Sequence, residues 1–95
     1  MTRITACFTG RFQGVGFRYT TTRIAQRFAV AGYVLNLSDG RVELVVEGDL
    51  NEAHAFIAAV KDALGRYMTD AALDTGSATG EFGKPADPKS FSVRY

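Results

Sequence analysis

Gly10-Arg11-Phe12-Gln13-Gly14-Val15-Gly16-Phe17-Arg18 is the stretch on which the reading of this chain turns. Its three glycines allow a tight backbone turn whose N–H groups point inward, and such a concavity of amides holds phosphate or carboxylate oxygens. Arg18 adds a full positive charge at its end. The spacing is neither Gly-x-Gly-x-x-Gly nor Gly-x-x-x-x-Gly-Lys-Ser/Thr, so neither a dinucleotide site nor a nucleoside-triphosphate loop is indicated. Upstream, Ile4, Ala6 and Phe8 alternate with Thr5, Cys7 and Thr9, the period of a half-buried strand. Downstream, Phe17, Ile24, Ala25, Phe28 and Ala31 keep one apolar helical face continuous. A strand, loop and helix in this order bring the positive end of the helix beside any anion in the loop. Thr20, Thr21 and Thr22 lower the helix propensity by about 0.5 kcal/mol each against alanine, so packing of the apolar face must hold the helix.

Beyond the helix, Gly32 is expected to mark its end or the turn that follows. Residues 33–37 read as a strand, Ser38-Asp39-Gly40 as a tight turn, and residues 41–47 as the antiparallel partner. Asp49 and Glu52 have the spacing of a capping pair, and Ala53, Phe56, Ile57, Val60 and Leu64 form the stripe of a second helix ending near Gly65. Residues 71–78 suggest a fourth strand. Residues 79–89 gather Gly80, Gly83, Pro85 and Pro88 into a loop, and 91–95 alternate as a short final strand. The order specifies an α+β, ferredoxin-like β-α-β-β-α-β sandwich: an antiparallel sheet, two helices on one face, and a short extra C-terminal strand.

Composition narrows the function. At 95 residues and 46% hydrophobic, the chain is expected to form one domain over residues 1–95. A net charge of +1 gives little overall pull on nucleic acid or anionic membrane, so recognition is expected to be local and neither is expected as a partner. No apolar run approaches the ~20 residues of a bilayer span, and the first ten residues lack the apolar core of a secretion signal. Cys7 stands alone, which excludes an internal disulfide, suits a cytoplasmic setting and reads as strand packing. His54 lies off the helical stripe without a second histidine or cysteine at ligand spacing, so no metal site is expected.

Four segments in order, Gly10 to Arg18, Gly32-Tyr33-Val34-Leu35-Asn36, Asp39-Gly40-Arg41-Val42-Glu43 and Phe91-Ser92-Val93-Arg94-Tyr95, resemble the acylphosphatase family. The resemblance implies hydrolysis of the carboxyl–phosphate bond of an acyl phosphate to a carboxylate and inorganic phosphate, with no metal or cofactor. It implies that Arg18 and Asn36 are the catalytic pair. Arg18 would grip the phosphoryl oxygens through its planar fork, amides of Phe12, Gln13, Gly14, Val15, Gly16 and Phe17 would take the remaining oxygens, and Asn36 would hold the attacking water. Phosphoryl transfer asks mainly for positioning and charge stabilisation, so a site without a strong general base is chemically sufficient. A monomer is expected. Departures from the family pattern are Phe12 for valine, Tyr33 for tryptophan, and Ala29 where a glycine often closes the first helix. The alternative is a non-catalytic binding module of the same fold, for RNA or a small anion. Residues 41–47 offer no aromatic on which a base could stack, which weighs against RNA.

Overall fold

The computed structural model describes residues 1–95. The elements are β1 (Thr2–Gly10), α1 (Phe17–Ala25), β2 (Val30–Asn36), β3 (Val42–Gly48), α2 (Leu50–Leu64), β4 (Met68–Ser77) and β5 (Phe91–Arg94), with single 3-10 turns at Gly65–Tyr67 and Pro88–Ser90. The sheet order is β4-β1-β3-β2-β5. β1 to β4 pair antiparallel, as the ferredoxin-like reading requires, whereas β5 joins β2 in parallel, with Gly32 opposite Phe91 and Leu35 opposite Arg94. The sheet is therefore mixed, for a simple reason. β4 ends beside Thr2, at the end of the sheet where β2 begins, so residues 78–90 cross laterally and re-enter in the direction of β2.

Both helices cover one face. Ile4, Ala6 and Phe8 of β1, Val34 of β2 and Val42, Leu44 and Val46 of β3 meet Phe17 and Ile24 of α1 and Phe56, Ile57 and Val60 of α2 in one core. Phe17 and Ile24 are 3% and 4% exposed, and full burial of each is worth about 1.5–3 kcal/mol, enough to outweigh the threonine run. No helix is long and apolar enough to cross a membrane.

α1 is shorter than its apolar pattern suggests. It stops at Ala25, the chain tightens through Arg27 N–H to Ile24 O (3.0 Å) and Phe28 N–H to Ala25 O (3.1 Å), and β2 begins at Val30. Phe28 packs from this turn against Phe56, and Ala31 is buried in β2. Both are apolar because they meet neighbouring elements, a reason that helical periodicity cannot separate from a helix face. Gly32 lies inside β2. Its φ is 144°, and a Cβ there would fall 1.8 Å from the Val45 carbonyl oxygen, so strand approach selects the glycine. No non-glycine residue has a positive φ, so Ala29 is not a left-handed cap. Asp49 stands at the start of α2 without a side-chain capping bond, and Glu52 accepts instead from Ala29 N–H at 2.9 Å, tying α2 to the start of β2.

The face away from the helices is partly roofed by residues 79–83. The carboxylate of Glu47, 3% exposed, accepts from Thr79 N–H (2.8 Å), Thr79 Oγ1 (2.9 Å) and Gly80 N–H (2.9 Å), with Arg3 Nη1 at 3.4 Å. Phe82 then lies edge-on to Tyr33, 5.7 Å between centroids. Burial pushes the Glu47 carboxyl up, but the hydrogen bonds and Arg3 outweigh it and leave it below the usual carboxylate range.

Candidate active site

The end of the sheet opposite that crossing brings together the end of β1, the start of α1 and the ends of β2 and β5. The loop between β1 and α1 is fixed at both ends. Arg11 N–H donates to Tyr67 O at 2.8 Å, and Phe17 is buried against Phe8 and edge-on to Phe12, 4.8 Å between centroids. Between these anchors Gly14 and Gly16 adopt φ of 77° and 71°, the left-handed region that costs a side-chain-bearing residue about 1–2 kcal/mol. Gly10 serves a different end from the turn role read for it. A Cβ there would meet Tyr67 O at 2.0 Å, so packing at the end of β1 selects it.

Gly16 is the N-cap of α1, with no side chain to satisfy the first-turn donors. The first intrachain acceptor used is Gly16 O, by Thr20 N–H at 2.9 Å, so the N–H groups of Phe17, Arg18 and Tyr19 have no backbone partner. They open beside a pocket of about 530 Å³ whose lining includes Phe12, Gln13, Gly14, Gly16, Phe17 and Arg18. Asn36 lines the same pocket from the exposed end of β2, on the helix-covered face shared with Val34. Arg18 and Asn36, 18 positions apart in sequence, thus share one cavity. Val15 does not line it: its side chain packs against the core and its N–H is directed to Phe12 O at 3.3 Å.

The guanidinium of Arg18 has no carboxylate partner, since the ion pairs of the chain involve Arg3 and Arg41. It stacks over the ring of Tyr95, 4.5 Å from the centroid. Tyr95, Val93, Thr22 and Tyr19 complete the lining and were not among the site residues expected from sequence. Thr22 was within reach of sequence reasoning, being four residues from Arg18 on the same helical face. Tyr95 was not: it joins the site because the parallel register of β5 carries it one step beyond Arg94, beside Asn36.

No carboxylate, imidazole or thiol lines this pocket, and no three such side chains gather anywhere in the chain as a metal cluster would require. A narrower cavity of about 130 Å³ between α1 and residues 85–88 presents no cation. No residue of the segment 79–89 lines the cavity with Arg18 and Asn36; residues 85–88 border α1 at Thr22, Ala25 and Gln26, nearer its C-terminal end.

Fold and cavity together define a ferredoxin-like α+β domain with a cationic, amide-lined pocket at a strand–loop–helix junction. Residues 4–78 match the acylphosphatase family model. An acylphosphatase of Thermotoga petrophila is 49% identical over 87 residues, covering 90% of this chain and 89% of that protein. One of Corynebacterium glutamicum is 38% identical over 92 residues, covering 97% and 96%. The crystal structure of acylphosphatase from Bacillus subtilis superposes with a TM-score of 0.82 at 33% identity, covering all of both chains. The chain belongs to the acylphosphatase family, whose members are hydrolases acting on acyl phosphates.

Proposed function

We propose that the chain hydrolyses acyl phosphates without a metal, using Arg18 and Asn36 as its catalytic residues. The observation that carries this reading is the opening of Arg18, Asn36 and the unpaired first-turn amides of α1 onto one cavity. The phosphoryl group occupies the mouth of the loop, where Arg18 donates two N–H bonds from its planar fork and the loop and first-turn amides take the remaining oxygens. Of the residues 12–17, Val15 contributes shape more than a donor, because its N–H is directed inward.

The side-chain carbonyl of Asn36 accepts a hydrogen bond from a water and aims its oxygen at phosphorus. A new P–O bond forms as the bond to the carboxyl oxygen breaks. That electron pair leaves on the carboxylate, and the water proton passes to solvent or to the phosphate product. A carboxylate is a good leaving group, so neither a general acid nor a metal is needed. A donor set of amides and one guanidinium supports a metal-independent reaction, since hard cations seek the carboxylate oxygens this pocket lacks. A monomer in the cytoplasm is part of the same proposal. The alternative of an RNA-binding sheet is disfavoured because the Arg94 guanidinium already lies over the Tyr33 ring, 4.0 Å from its centroid, with Phe82 packed against the same ring.

Benzoyl phosphate is the test substrate. Turnover insensitive to chelator, competitive inhibition by inorganic phosphate, and a loss on the order of 10²–10³ or more in kcat for Arg18→Gln and Asn36→Ala, with folded circular dichroism spectra, are expected. Full activity in either variant removes that assignment, and an inactive folded wild type removes the function.

A further inference from the structure

A smaller hollow of about 270 Å³ lies beside Asn36, between the β1–α1 loop and the turn joining β2 to β3. Phe12, Gln13 and Asn36 line both this hollow and the larger cavity that holds Arg18, so the two adjoin along a wall made by those three residues. The rest of each lining is separate. Arg18, Tyr19 and Thr22 of α1 line the larger cavity and not the smaller, whereas Leu37, Ser38 and Gly40 of the turn line the smaller and not the larger. No charged side chain lines the smaller hollow.

Both rims of the smaller hollow are held in place. Leu37 N–H donates to Arg41 O at 2.8 Å and Gly40 N–H to Leu37 O at 3.1 Å, which closes the turn. The Phe12 ring is fixed edge-on by Phe17 and rests on Gly10, where a Cβ would come within 2.8 Å of Phe12 Cζ. The side-chain amides of Gln13 and Asn36 and the hydroxyl of Ser38 take part in none of the hydrogen bonds within the chain, which leaves donors and acceptors free for a water. Displacement at phosphorus sets the attacking and leaving oxygens roughly in line, on opposite sides. With Asn36 holding the nucleophile, the carboxylate departs toward Tyr19 and Thr22, and the nucleophile's side is that of the smaller hollow.

We propose that the smaller hollow is the port through which the nucleophile reaches Asn36, and that the ring of Phe12 restricts that nucleophile to water. The inference rests on hydrolysis at Arg18 and Asn36 and adds how the acceptor is selected. Amides and a hydroxyl bind any R–OH group, so only size separates water from an alcohol here, and Phe12 is the largest side chain on the shared wall. With that ring removed, a primary alcohol takes the place of water. Its oxygen forms the new P–O bond as the bond to the carboxyl oxygen breaks. The electron pair leaves on the carboxylate, the hydroxyl proton passes to solvent, and the products are a carboxylate and an alkyl phosphate.

The test turns over benzoyl phosphate in water containing methanol or 1-propanol and reads alkyl phosphate against inorganic phosphate by phosphorus NMR, in the wild type, Phe12→Ala, Leu37→Ala and Tyr19→Ala. That ratio is internal to each turnover, so partial loss of folded enzyme does not move it. Leu37→Ala widens the smaller hollow alone, and Tyr19→Ala opens the larger cavity on the α1 side. The wild type is expected to give inorganic phosphate almost alone. Phe12→Ala is expected to raise the 1-propanol ratio by roughly ten-fold or more, Leu37→Ala to raise it by roughly three-fold, and Tyr19→Ala to leave it unchanged. An unchanged ratio in either widened variant that folds overturns the proposal. So does a wild type that forms propyl phosphate readily, or an equal rise in Tyr19→Ala, which would make the effect a general opening of the cavity. Release of no phosphate from benzoyl phosphate by the folded wild type would instead overturn the underlying reaction.

Discussion

Thr20, Thr21 and Thr22 meet three different surroundings on one short helix. Thr22 Oγ1 donates to Arg18 O at 2.7 Å, four residues back, while Thr21 is wholly buried and its Oγ1 finds no partner. A buried hydroxyl without a hydrogen bond carries its desolvation penalty uncompensated. Thr21→Val keeps the β-branched shape and is expected to raise stability by about 1 kcal/mol in urea denaturation. A lower midpoint would show that the hydroxyl is satisfied after all. At this scale the sequence was informative wherever a residue's identity is chemically demanding. Arg18 and Asn36 stand in one cavity as their motifs implied, and the positive φ of Gly14 and Gly16 accounts for both glycines. It was uninformative on direction: nothing in the string Phe-Gln-Gly-Val-Gly tells that Val15 turns inward while Gln13 lines the pocket.

Elements were read well in kind and poorly at their ends, because ends are settled by neighbours. Glu52 had the spacing to cap its own helix and serves Ala29 of another segment instead. Residues 79–89 were legible as a loop from their glycines and prolines, but their attachment was not. Glu47 sits on the outward side of β3, where alternation alone would leave a solvated carboxylate, and the crossing segment buries it. Its folded pKa lies below the unfolded one, so its contribution is fully present above the ordinary glutamate value of about 4.3 and is lost as pH falls through the lower folded value. Wild-type stability is therefore expected to decline with acid below about pH 4.3. Glu47→Gln should lose about 1–3 kcal/mol at pH 7 and show a shallower acid decline, both read from denaturant titrations between roughly pH 3 and 7. A variant that tracks the wild type in parallel at every pH would place the acid sensitivity elsewhere.

Residues 1–38 hold five arginines and no acidic residue while all ten carboxylates lie in residues 39–95, and in a molecule with a radius of gyration of 12.0 Å this charge segregation acts over a length that salt can screen. Raising ionic strength from about 10 mM to about 150 mM shortens the screening length from roughly 30 Å to roughly 8 Å. kcat/KM for an acyl phosphate is expected to fall roughly two- to five-fold across that range, through KM, and a flat salt profile in steady-state kinetics would contradict an attractive field at α1. Net charge gave no hint of this, because a sum discards position. The sequence by itself determined the layer architecture, the strand–loop–helix junction and the residue types of the proposed anion site, since periodicity and backbone permissiveness are local properties of the chain. Only the tertiary structure decided that β5 runs parallel to β2 and that Tyr95 stacks on Arg18. Those relations join residues distant in the chain through sheet register and helix packing, which no local pattern encodes.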